Sequence, residues 1–154
     1  MTNKEKELLI KCLCEMLYHN VKVEYGRIHE GKDLGETQDF LTGRMIDSYK
    51  NNIMIGFTEV YSITPYLRPM SSMTEEEKWD FGRIFNSFSY LKLELLENGL
   101  SFHEIYDITG RCDITWNELN TAIDWLNAHH FDYHGLIPMG LALEAPEGMY
   151  NLKK

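Results

Sequence analysis

The chain reads as an α+β protein, a small curved antiparallel sheet with several packed helices. Three observations predict this. Apolar and polar residues alternate with period two over Val21–Tyr25, and further short strand-like runs follow as far as Val60–Tyr66. Two helix-like stretches open with a threonine followed three residues later by a glutamate, at Thr74/Glu77 and Thr115/Glu118. Finally, 154 residues that are 44% hydrophobic and 25% charged suffice to bury a real core within one domain. That domain divides into an N-terminal helix with a β-rich part over 1–70 and a mainly helical, acidic part over 71–154.

Lys4 to Tyr18 is the first predicted helix, because Leu8, Leu9, Leu13, Met16 and Leu17 recur on one face, and His19 and Asn20 mark its stop. The period then changes. Val21, Val23 and Tyr25 alternate with Lys22 and Glu24 as in a half-buried strand, and Gly26 lets the chain bend after it. Residues 29–39 are polar, contain two glycines and read as a loop. Phe40–Tyr49 is predicted as the second strand, Lys50–Asn52 as a hairpin turn, Ile53–Phe57 as the third strand and Thr58–Glu59 as the next turn. Val60–Tyr66 is the fourth, and Pro65, which cannot donate to a ladder, belongs at a sheet edge or strand end. Four short strands need closure or cover. A strongly curved sheet resembling an SH3-like barrel over 21–68 is the first architecture expected, and an antiparallel sheet covered by the flanking helices is the second.

Thr74 and Glu77 start a helix that Trp79, Phe81, Ile84, Phe85 and Phe88 make too apolar for a wet outer face. Gly82 weakens its middle. Tyr90–Leu96 favours helix over strand, and Ser101–Asp113 contains a short helix ended by Gly110. The helix after Thr115 places Leu119, Ala122, Ile123 and Leu126 on one face through about Ala128.

Acidity is concentrated in the second half. Residues 1–70 carry nine Lys or Arg against ten Asp or Glu, a balance of -1, whereas residues 71–154 carry six against fourteen, a balance of -8. Such a field repels a phosphate backbone, so direct nucleic-acid binding is disfavoured and a protein partner is expected. Apolar runs are too short to span a bilayer, and the start lacks a long apolar region with a cleavage site, so a cytoplasmic location is expected. Three cysteines, Cys12, Cys14 and Cys112, cannot form a disulfide framework on their own, and Cys12 and Cys14 face different ways on one helix.

The densest chemistry lies in the tail. His129, His130 and His134, with Asp132 between them, invite a metal reading, but adjacent imidazoles splay apart at a helix end and no glutamate sits between them as in a metallohydrolase helix. No metal or cofactor is expected. A helix C-terminus favours imidazolium, which gives the histidine pair a structural explanation. Pairings of Asp132 with His134 or Asp107 with His103, with Cys112 or Ser101 as nucleophile, lack a supporting motif, and Gly31 and Gly35 lack phosphate-loop spacing. Arg68, beside Pro69, has two readings: a grip on a partner's carboxylate, or pairing with the chain's own acidic half, the favoured one. Phe131, Tyr133, Leu136 and Ile137 form a strap that either tucks against the fold or presents an interface core. The candidate partner-binding residues are therefore Arg68, His129, His130, Tyr133, His134 and Leu136.

Two segments carry a resemblance. YLRPMSSMTEEE (66–77) and IDWLNAHHFDYHGLIPMGLALEAPEGMYN (123–151) resemble small uncharacterised proteins encoded by phages and prophages of gut Bacteroides-type bacteria. The match covers roughly a quarter of the chain, is weak between Phe81 and Asp113, and has His134 where those proteins usually carry another basic residue. The resemblance implies a phage context and a bacterial cytoplasm, and it carries no catalytic residue across. The function expected is a non-enzymatic accessory protein that binds a host or phage macromolecule, regulating it or blunting a defence. The rivals are a small enzyme with a histidine-containing pocket and a self-associating module.

Overall fold

The computed structural model describes residues 1–29, 32–50, 60–85 and 115–151. α1 (Asn3–Met16) opens with a reciprocal cap in which Thr2 Oγ1 accepts the Glu5 N–H and Glu5 accepts the Thr2 N–H. Leu9, Cys12, Leu13 and Met16, at helical spacing, form its buried face. After a short 3-10 turn at Leu17–His19, Asn20 takes a left-handed φ of 53° and ends the helical segment where the sequence predicted.

β1 (Lys22–His29) pairs antiparallel with both β2 (Lys32–Phe40) and β3 (Val60–Leu67). β3 pairs in parallel with β4 (Leu143–Glu144), so the strand order is β2-β1-β3-β4. The α+β class is as expected; among the described residues the four-stranded sheet is not closed, and its parallel β3–β4 pair makes it mixed. Two elements differ from the sequence reading.

Residues 32–39, expected within a loop, form β2 together with Phe40. All nine of its residues are exposed, so no alternation of burial was imprinted on their sequence. Residues 43–49, expected within a strand, form α2 (Gly43–Lys50) with Lys50, expected in the turn. Thr42 caps its first turn, its carbonyl accepting from Met45 and Ile46, and Ile46 and Tyr49 lie three apart on the buried face. Phe40 ends one element and Leu41 leads into the next, which blurred both periods. The predicted turn at 50–52, third strand at 53–57 and turn at 58–59 lie outside the described residues except for Lys50, as do the elements expected at 90–96 and 101–113.

β3 is the strand expected over Val60–Tyr66, and its Ile63, Pro65 and Leu67 are buried. Pro65 sits opposite Val23, immediately before the pairing with β4 begins at Tyr66. Gly26 lies where β1 and β3 approach closely: a Cβ there would stand 2.7 Å from Ser62 Oγ, which accepts the Gly26 N–H.

α3 (Glu75–Gly82) and α4 (Trp116–Ala128) begin with the two predicted caps, in which Thr74 and Thr115 each exchange hydrogen bonds with the glutamate three residues on. Gly82 is the last residue of α3 rather than its middle. Two apolar clusters form the core. One joins α1, β1, α2 and β3 with Leu136 and Ala142; the other joins Met70, Met73 and α3 to α4, Phe131 and Tyr133. The segment after α4 contributes to both, so it ties the sheet side to the helical side. Among the described residues no helix is long and apolar enough to cross a membrane.

Candidate functional site

The tail is a buried strap. Phe131, Tyr133 and Leu136 are each at most 1% exposed. Tyr133 and Leu136, candidate partner contacts whose direction the sequence left open, are therefore core residues that the strap turns inward. Their burial follows from a backbone that runs beside β3: Arg68 N–H donates to the His130 carbonyl, Asp132 N–H to the Arg68 carbonyl, and Ala145 N–H to the Leu67 carbonyl. Buried Asp132 accepts the N–H groups of Leu136 and Ile137 at 2.7 and 2.8 Å, and Gly135 next to them takes a φ of +74°. The carboxylate thus closes the turn that seats Leu136.

The histidine pair splays as expected, but His130 is not charged. His129 stacks on Trp125 at 3.8 Å between ring centroids and contacts the Trp125 carbonyl through Nδ1. His130 stacks on Tyr150 at 3.7 Å, and its Nε2 donates to the His19 carbonyl at 2.6 Å. Its Nδ1 is buried with no hydrogen-bond partner among the described residues. Burial pushes the imidazole down to about 4, the backbone bond to His19 opposing it and His19, His129 and Arg68 adding to it. Desolvation therefore outweighs the helix-end dipole. His130 is a neutral structural group, 5% exposed, and no docking residue.

His134 belongs to a different cluster. Its Nε2 lies 2.9 Å from Glu15 Oε2, to which the Tyr133 hydroxyl also donates at 3.0 Å, with Asn127 on the far side of that hydroxyl at 3.1 Å. Burial raises the Glu15 carboxyl, but the His134 hydrogen bond and charge, aided by Tyr133 and Lys11, leave it below its usual value. Burial and Glu15 push the Tyr133 phenol well above its ordinary range. Cys12 lies one α1 turn before Glu15. Burial, then Glu15 and Asp132, push its thiol up to about 12. One donor atom each from Cys12, Glu15 and His134 fall within 4.8 Å of one another, so this trio is the group among the described residues able to hold a metal ion. The spacing of Glu15 from Cys12 is visible in the sequence, but its meeting with His134 exists only in the folded chain.

Arg68 pairs internally, as favoured. Its two terminal nitrogens bind the two Glu77 oxygens at 2.8 and 2.9 Å, and the guanidinium lies 4.3 Å above the Phe131 ring. Glu77 also caps α3 by accepting the Thr74 N–H at 2.8 Å. One carboxylate therefore fixes both the helix start and the arginine.

Beside this pair opens a cleft of about 790 Å³, bounded by Arg68, Thr74, Glu77, Glu144, Glu147 and Tyr150. Tyr150 is anchored: its hydroxyl donates to the Tyr66 carbonyl at 2.8 Å and accepts the Lys22 N–H at 2.9 Å, and burial pushes it up to about 12. Glu144 and Glu147 are exposed, and no ion pair joins either of them among the described residues. Of the six residues expected to bind a partner, Arg68 alone borders this cleft. No family model, no curated protein and no solved structure matches the chain.

Proposed function

We propose that the chain is a non-enzymatic accessory protein that binds a basic protein segment in the Arg68 cleft. The setting is the phage and bacterial host that its resemblance implies, where such binding would regulate the partner or blunt a host defence. The observation that supports this reading most is the charge state of the cleft. Arg68 and Glu77 satisfy each other, whereas Glu144 and Glu147 extend from the strap into solvent. A cleft with that surplus attracts Lys or Arg and repels phosphate. Its volume of about 790 Å³ admits a few side chains of a docked segment.

The test is affinity recovery from phage-infected host lysate with wild type and Glu144→Lys/Glu147→Lys, both shown folded by thermal melting. A partner that is recovered by wild type, released as salt rises, and absent with the reversed charges supports the reading. Recovery of the same proteins in the same amounts overturns it.

β2 favours a second reading, self-association. Its nine residues are exposed, and among the described residues it is an edge strand, a template for a second copy. Lys32, Asp33, Glu36 and Asp39 along it blunt such pairing, which ranks this reading below the cleft. A monomer by light scattering across micromolar concentrations would sink it.

A further inference from the structure

The geometry points to a zinc-type divalent metal site formed by Cys12 and Glu15 of α1 and His134 of the strap. Sulfur, imidazole nitrogen and carboxylate oxygen are the donor kinds zinc takes, and here they come from two segments that meet only in the folded chain. Their donor atoms lie within 4.8 Å of one another. Around a tetrahedral ion with bonds of about 2.0–2.3 Å, donors stand about 3.3–3.8 Å apart. Small side-chain shifts, including an opening of the 2.9 Å contact of His134 with Glu15, would bring the three donors to such separations.

The surroundings fit a cation. Cys12 is fully buried with Glu15 and Asp132 as charged neighbours, and a thiolate would add a third negative charge. A dication reverses that repulsion and makes the same carboxylates favourable. An outer shell exists as well: the Tyr133 hydroxyl donates to the ligating Glu15 and orients it, as outer-shell groups of metal sites do. His134 is held by the Asp132-closed turn beside it. Glu15, with a side chain 29% exposed, marks the side from which the ion enters and where water completes its coordination. This inference stands apart from the cleft, whose lining shares none of these residues.

The test uses tag-free full chain titrated with cobalt(II), whose bond to a thiolate gives a charge-transfer absorption, and with zinc by calorimetry. One ion per chain is expected, with the charge-transfer band present. Cys12→Ser abolishes the band and weakens zinc by more than ~100-fold, while Cys14→Ser and Cys112→Ser change neither. Tyr133→Phe, which loses the hydroxyl contacts with both Glu15 and Asn127, weakens zinc by about 10-fold. Absence of the band in wild type, or its survival in Cys12→Ser, overturns the site. Should Cys12→Ser fail to fold by circular dichroism, His134→Gln decides instead, since it keeps a donor toward Glu15: weakened binding supports the site and unchanged binding overturns it.

Discussion

Lowering the pH from 7.5 to 5 is expected to cost the native state about 2 kcal/mol through His130 alone. The imidazole, pushed down to about 4 by burial, has an ordinary value of 6.5. The unfolded chain therefore takes up a proton well before the native chain does, and acid favours unfolding. The contribution is whole above pH 6.5 and is lost as the pH falls toward 4. Integrating the proton difference between those two values gives about 2 kcal/mol by pH 5 and nears a limit of about 3 kcal/mol at lower pH. For a chain of this length, 2 kcal/mol lowers the melting temperature by about 4–8 °C.

Urea unfolding at a series of pH values, followed by circular dichroism, reads the effect directly. His130→Asn is the informative comparison, because asparagine tolerates the left-handed φ of 61° at this position. At pH 7.5 the variant loses the stack on Tyr150 and the bond to the His19 carbonyl, a cost of about 1–2 kcal/mol. Between pH 7.5 and 5 it should then lose about 2 kcal/mol less than wild type. Glu15 and Glu77, both held below 4.5, act at lower pH and are common to the two proteins. Parallel pH profiles for wild type and variant would refute the reasoning.

Arg68→Lys is expected to cost about 1–2 kcal/mol in urea unfolding, since an ammonium cannot take both Glu77 oxygens or lie flat on Phe131; an unchanged midpoint contradicts this. Asp132→Asn leaves one of two buried amides without its acceptor, costs about 1–3 kcal/mol, and speeds hydrogen exchange at Leu136 and Ile137; unchanged exchange would show that the turn closes without the carboxylate. Leu136→Ala opens a cavity in the first core cluster and costs about 2–5 kcal/mol, and a loss below 1 kcal/mol would mean that the strap is not seated as described.

Legibility followed the range of the interaction. The two caps read from the sequence, Thr74/Glu77 and Thr115/Glu118, are closed by residues three apart, so each helix start was visible and each is present. Thr2/Glu5 obeys the same rule, beside Lys4 and Lys6 in the first turn of α1. Residues 32–39 and 43–49 differ from the sequence reading for opposite reasons: β2 buries nothing and so shows no period, whereas α2 follows a strand end so closely that two patterns run together. In the tail the residue types were informative but their direction was not. Tyr133 and Leu136 suit an interface and a core equally well by composition, and the hydrogen bonds of the strap to β3 turn them inward.

The sequence by itself determined the α+β class, the acidic second half, two helix starts, and the splaying of His129 from His130, because each depends on nearest neighbours or on totals. Tertiary structure alone decided that His130 is neutral, that His134 meets Glu15 and Cys12, and that Glu144 and Glu147 border the Arg68 cleft. The physical reason is common to all three. Desolvation and the meeting of charges depend on which distant segments pack together, and the strap after α4 makes those meetings by joining the two clusters of the core.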